Sequence, residues 1–284
     1  MKSFQILFLV FLLNCGSNEK VYSAVGVIHE IFAEKREMTI HHDEIPGFMM
    51  AMTMTLKVDP SVQMDTWERG DSIQFNIVIA ENKGFVRSFE GLGKVKIFEE
   101  VDDFWEDEDS PTKIGEFLPD ATFLNLDSNE VSLSKNNGNY RFISFVFSRC
   151  PMPNMCPALM MKYRYLASEL KTIDNLEFIT ISFDYIYDNP FTLEKHYGGI
   201  IEPFPNWNVW SSFGHPTDII SLAHYGQFAF WGVEDNDIGH SMRSLLISPK
   251  LKLLKTWDGT DWKAITVKNE IDRKSTRLNS SHRV

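Results

Sequence analysis

The sequence predicts two domains of different class, a small all-β barrel followed by an α/β layer. Three observations predict it. Val21 to Lys96 reads as short alternating strands broken by polar turns, with no helix of useful length. From Ile114 onward, continuous apolar runs alternate with helical stretches, the pattern of strands covered on both faces. Between them, Glu99 to Pro111 carries eight acids, a composition that stays solvated and repels itself.

At 284 residues, with 43% apolar and 13% aromatic side chains, the chain has ample material for packed cores. Its formal charge of −11 argues against nucleic-acid binding and against adhesion to anionic lipid. The opening MKSFQILFLVFLLNCGSNEK places Lys2 before an apolar run from Phe4 to Leu13. That run is shorter than the ~20 residues needed to cross a bilayer and suits a signal peptide over residues 1–14. Leu12-Leu13-Asn14-Cys15 resembles a lipoprotein lipobox, which makes Cys15 the expected lipid anchor of an exported chain on the periplasmic face. At the other end, DRKSTRLNSSH fits the translation of a common sequencing-library adapter, so residues 272–284 are set aside from fold reasoning. That segment holds four bases and one acid, leaving −11 − 3 = −14 on the rest.

The elements follow in order. YSAVGVIHEIFAEKREMTIHH alternates on both sides of a charged turn at Ala33 to Glu37, a β-hairpin signal. MAMTMTLKV is a further strand, and DSIQFNIVI another after the turn at Arg69-Gly70. Some five strands over residues 21–96 predict an OB-like barrel. Residues 97–113 form the acidic linker, and residues 114–271 the second domain. There, RFISFVFS and EFITISFD read as buried parallel strands. The helix between them opens at Pro157 and recurs at Leu159, Tyr163, Leu166 and Leu170. A second helical stretch follows Pro190. SMRSLLIS and LKLLKTW make a late hairpin through Pro249-Lys250, and WKAITVKNEI begins a final helix. This order describes a thioredoxin-like α/β layer.

Two of the three cysteines stand in SRCPMPNMCP, where Cys150 and Cys156 allow a disulfide, a redox couple or a metal clamp. Export permits a disulfide. Their place between a central strand and a helix start favours chemistry, because the helix dipole stabilises a thiolate.

GEFLPDATFLNLDSNEVSLS, FVFSRCPMPNMCP, ISFDYIYDNP and GHSMRSLLISPKLKLLKTWDG together resemble the SCO/SenC family of thioredoxin-like copper proteins. The resemblance covers about Ile114 to Ile271 and implies a copper site made by Cys150, Cys156 and His240. Asp184 and Asp188-Asn189-Pro190 match further family positions. The cysteines are two residues further apart than the family's C-x-x-x-C, a loop extension that costs little closure entropy. Two thiolates and an imidazole suit copper in either oxidation state, whereas structural zinc asks for a fourth ligand. Met152 and Met155 read as loop apolar contacts with accessory sulfur as the alternative. His196, His215 and His224 receive no role.

The second constellation is TIHHDEIPGFMMAMTMTLKV. Met52 and Met54 share one strand face, and thioethers are soft ligands that favour Cu(I). Composition alone reads such a strand as core. The segment resembles the CusF-type barrels, which hold Cu(I) or Ag(I) with one histidine and two methionines. On that resemblance Met52-Thr53-Met54 supplies the sulfur. Strand alternation with Met38 and Ile40 selects His42, with His41 in reserve. Met49, or Met50, takes the place of the capping tryptophan of those barrels.

Two unrelated soft-metal segments in one exported chain point to one ligand, copper. The resulting expectation is a metallochaperone rather than an enzyme, with a copper-protein client such as a cytochrome c oxidase subunit and a membrane held through the lipid anchor. A periplasmic thiol–disulfide oxidoreductase, with Cys150 and Cys156 as its redox pair, is the alternative, and copper sequestration a third.

Overall fold

The computed structural model describes residues 19–80, 83–97, 112–135, 138–234 and 238–281, the last nine of these as backbone only. The expected signal segment, Cys15 and the acidic run Glu99 to Pro111 lie outside the described residues.

Alternation builds the first half. Strand β1 (Glu19–Phe32) turns through Ala33–Lys35 into β2 (Glu37–His42), and Arg36 closes the turn in the left-handed region at φ 50°. β3 (Met52–Lys57), β4 (Asp71–Ala80) and β5 (Lys83–Lys94) complete a sheet of order β3-β2-β1-β4-β5. Ala24, Ile28, Met38, Ile40, Ile73, Phe75 and Ile77 point inward and are buried. Each such side chain beyond alanine stabilises the fold by ~1.5–3 kcal/mol.

The two edges meet at a parallel bridge between Val58 and Val86, where the Asp59 N–H reaches the Val86 carbonyl at 2.9 Å. The expected OB-like arrangement is therefore present as a rolled sheet touching at one point. It is not a continuously closed ladder.

The second half is a seven-stranded sheet of order β14-β13-β8-β9-β10-β6-β7. β8 (Tyr140–Val146), β9 (Leu176–Ser182) and β10 (Trp207–Ser211) are parallel and form its centre. Their near-continuous burial reflects helices on the faces. β6 (Thr122–Asn125) and β7 (Glu130–Ser132) extend one side, and the late hairpin β13 (Arg243–Ile247) with β14 (Leu253–Asp258) the other. In that hairpin's turn Leu251 adopts φ 63°, a conformation glycine takes more readily.

Helix α1 (Cys156–Glu169) buries Leu159, Tyr163 and Leu166, as the periodicity requires. α2 (Pro190–Leu193) runs through a wide turn, Glu194–Gly198, into α3 (Gly199–Ile201). α4 (Pro216–Gly226) and α5 (Ala264–Ser281) complete the set. The α5 backbone runs as far as Ser281, into the residues that read as an adapter. A two-stranded ribbon, β11 (Phe230–Trp231) with β12 (Gly239–His240), stands apart from the main sheet and was not legible beforehand.

Candidate metal centre

The cysteine loop leaves the C-terminal end of β8 and is fixed by two buried aspartates from the segment after β9. Asp188 accepts from the Ser148 N–H at 2.8 Å, the Ser182 hydroxyl at 2.6 Å and the Ser148 hydroxyl. Burial pushes the Asp188 carboxyl above its ordinary value. Asp184 takes Arg149 Nε at 3.0 Å and Nη2 at 2.6 Å on one oxygen, and the Tyr187 N–H at 3.0 Å on the other. The Arg149 guanidinium also lies 4.6 Å from the Tyr187 ring centre. Ser148 and Arg149, the two residues before Cys150, are thus clamped on both sides.

Cys150 and Cys156 are free thiols, both buried, and they face each other. A hydrogen bond from Cys156 lowers the Cys150 pKa, helped by the N–H groups of Cys156 and Met152. Burial, then the neighbouring Cys150, drives the Cys156 pKa up. Cys150 is therefore the first thiolate of the pair, and Cys156 its proton donor.

His240 lies in an apolar cage, its ring centre 5.1 Å from that of Phe183 and 5.4 Å from that of Phe147. Burial lowers its pKa to about 4. Its Nδ1 sits 2.8 Å from the Ser241 carbonyl and donates to it, so Nε2 carries the lone pair a metal would use. Among the described residues, no three His, Cys, Asp or Glu side chains are gathered closely enough to hold an ion. The thiols are paired, and His240 stands outside ligating reach of them.

In the first half, β2 and β3 pair with His42 opposite Met52 and Ile40 opposite Met54. His42, Met52 and Met54 are all buried on one face. His42 Nδ1 lies 2.8 Å from the Asp43 carbonyl, again leaving the lone pair on Nε2. His41 projects to the opposite face, with Nδ1 3.0 Å from the Thr53 hydroxyl. Met49 is buried in the tight turn that it closes with Ile45, and Met50 is only half-buried. One imidazole and two thioethers on neighbouring strands form a soft donor set.

The two halves touch through these same elements. The Thr53 N–H, between Met52 and Met54, donates to the Ile238 carbonyl at 3.2 Å, two residues before His240. Met152 of the cysteine loop packs on β5 at Gly84, where an added Cβ would come within 2.4 Å of its methyl. Met152 thus serves as an apolar contact, the bland reading of that residue. Lys57 reaches Asp261 at 3.1 Å across the same joint.

Residues 110–275 match SCO1/SenC, more than half of the chain. The chain belongs to the SCO1/SenC family. Residues 21–90 match a second family, Copper binding periplasmic protein CusF. The Cation efflux system protein CusF of Escherichia coli K12 is 34% identical over 84 residues, covering 25% of this chain and 76% of that protein. The SCO1/SenC family lipoprotein of Bacillus anthracis superposes with a TM-score of 0.50 at 20% identity, over 56% of this chain and 95% of that one. The copper-bound ScoI of Arabidopsis thaliana gives 0.47 at 20% identity, over 58% and 99%. The SCO1/SenC half thus carries a thioredoxin-like fold, joined to a CusF-like sheet.

Sequence reasoning placed Asp184 and Asp188 in a motif but missed their task as anchors of Ser148 and Arg149. The serines at 148 and 182 carried no signal of their own. The joint was also missed.

Proposed function

We propose that this chain is an exported copper metallochaperone, in which His42, Met52 and Met54 acquire Cu(I) and pass it to Cys150 and Cys156, with His240 joining as third ligand. From there copper goes to the copper centre of a respiratory oxidase. One observation carries the reading: β3, which bears both methionines, meets the histidine ribbon through Thr53 and Ile238, and the cysteine loop packs on the same first-half sheet at β5. Unrelated domains have no reason to touch through those particular elements. Both histidines turn Nδ1 to a backbone carbonyl and so present Nε2, and thiolate outcompetes thioether for a soft ion, which sets the direction. Met49 stands beside the barrel donors as an accessory sulfur.

Titrating the purified chain with Cu(I) against a chelator tests the reading. Two ions are expected, one lost in Cys150→Ser/Cys156→Ser and the other in Met52→Leu/Met54→Leu. Binding undiminished in either double variant rejects the corresponding site. Mixing the loaded chain with the apo copper subunit of an oxidase tests delivery, and no transfer rejects it.

A second reading has its own support. Cys150 as a stabilised thiolate beside Cys156 is the arrangement of an attacking and a resolving thiol. Rapid exchange of the copper-free protein with a model disulfide, with no copper transfer, would favour an oxidoreductase.

A further inference from the structure

Two histidines on the outer face of the first half have no part in the proposed delivery. The β1–β2 ladder slips between Ile28 and Glu30, leaving His29 as the extra residue of a β-bulge. Bulges re-aim a side chain, and here the His29 ring centre lies 5.9 Å from that of His41 at 42°. His41 is in turn oriented by the Thr53 hydroxyl 3.0 Å from its Nδ1. His29, Glu30 and Thr53 line a cleft of about 500 Å³ at the joint, with Arg69 also in its wall. Trp231 of the ribbon forms the far wall. Gly239 permits that position, since a Cβ there would fall 2.2 Å from the indole.

We propose that His29, which lines this cleft, and His41 beside it form a nitrogen-donor site for a divalent copper ion at the cleft's edge, separate from the sulfur sites. Imidazole is a borderline donor, and among divalent first-row ions Cu(II) binds such nitrogen most tightly. The thioethers of Met52 and Met54, on the opposite face of the sheet and on the next strand, favour Cu(I) instead. Glu30 adds a carboxylate to the same cleft wall as Arg69. Among the described residues no third protein ligand is gathered at the site, so water completes the shell and the ion stays exchangeable. The site does not depend on the delivery reading, because it uses none of its ligands.

The test uses the full chain carrying Cys150→Ser/Cys156→Ser, which removes thiols that would reduce the probe. CuCl2 is titrated and followed by electron paramagnetic resonance and by quenching of tryptophan fluorescence. The expected result is one ion with hyperfine coupling to two nitrogens. His29→Ala and His41→Ala should each weaken it by about tenfold or more, as even outer-shell partners of a metal ligand can. Trp231→Phe should remove most of the quenching and leave affinity unchanged. Cu(I) binding at His42, Met52 and Met54 should persist in His29→Ala, which also shows that the variant folds. A Cu(II) spectrum and affinity unaltered in His29→Ala, or coupling to fewer than two nitrogens, would overturn the proposal.

Discussion

Asp188→Ala tests whether the cysteine loop is held by the segment after β9. The carboxylate accepts three hydrogen bonds, from the Ser148 N–H, the Ser148 hydroxyl and the Ser182 hydroxyl. Alanine leaves all three donors facing an apolar void. A buried donor without a partner costs ~1–3 kcal/mol. The hydroxyls can rotate to other acceptors, whereas the Ser148 N–H is fixed by the backbone. Removing a buried carboxylate also returns part of its desolvation cost, since burial already raises its pKa. The net loss is then ~2–4 kcal/mol, or very roughly 5–15 °C in the melting of this half at its size. Cys156 should change too, because the Asp188 charge helps to hold its pKa up. The assays are thermal unfolding followed by near-ultraviolet circular dichroism, the pH profile of thiol alkylation, and Cu(I) affinity. Destabilisation, a lower Cys156 pKa and weakened Cu(I) binding are expected together. A melting temperature within ~1–2 °C of the parent, with Cu(I) affinity intact, would refute the clamp.

Three further outcomes follow from the same geometry. The His240 pKa is lowered to about 4, against 6.5 for an ordinary imidazole, so the unfolded chain takes the proton first on acidification. The stability it contributes is full above pH 6.5 and is lost as pH falls toward 4, by at most ~3 kcal/mol; urea midpoints of the apoprotein should show this slope and His240→Asn should flatten it. Gly84→Val drives a side chain into the Met152 methyl, an overpacking of ~1–3 kcal/mol. It should loosen the joint to limited proteolysis and slow copper transfer, with Met152→Ala restoring part of both in a double-mutant cycle, since Asn154 Oδ1 also lies 2.8 Å from the added Cβ. Met52→Leu and Met54→Leu conserve volume and should each cost less than ~1.5 kcal/mol while removing barrel Cu(I) binding; equal Cu(I) affinity in both variants would make those methionines core alone.

Strand alternation made His42 rather than His41 the inward residue, and the structure puts it there, opposite Met52. The buried runs at β8 and β9 and the four-three-four spacing on α1 were equally legible, since each rests on local periodicity. β11 and β12 were not, because two residues each carry no period. Thr53 shows the limit most clearly. Alternation assigns it to the solvent face, yet it is buried, since Ile238 lies across it from far along the chain. Leu251 offers a similar case, where a left-handed turn is held by a residue that does not advertise one.

The two donor sets differ in how far they are assembled, and the difference has a physical origin. In the first half, imidazole and thioethers sit on adjacent strands, so the ladder itself fixes their separation. In the second, the thiols belong to a loop clamped by Asp184 and Asp188, whereas His240 belongs to a ribbon outside the main sheet. The ribbon is tied by Ile238 to Thr53, and so to the strand that carries Met52 and Met54. A set complete beforehand captures an ion with little rearrangement, while one lacking its third ligand gains affinity only as the ribbon closes. Movement of β3 on loading would reach the ribbon through that hydrogen bond. In the proposed delivery this hydrogen bond would couple capture in the first half to completion of the second.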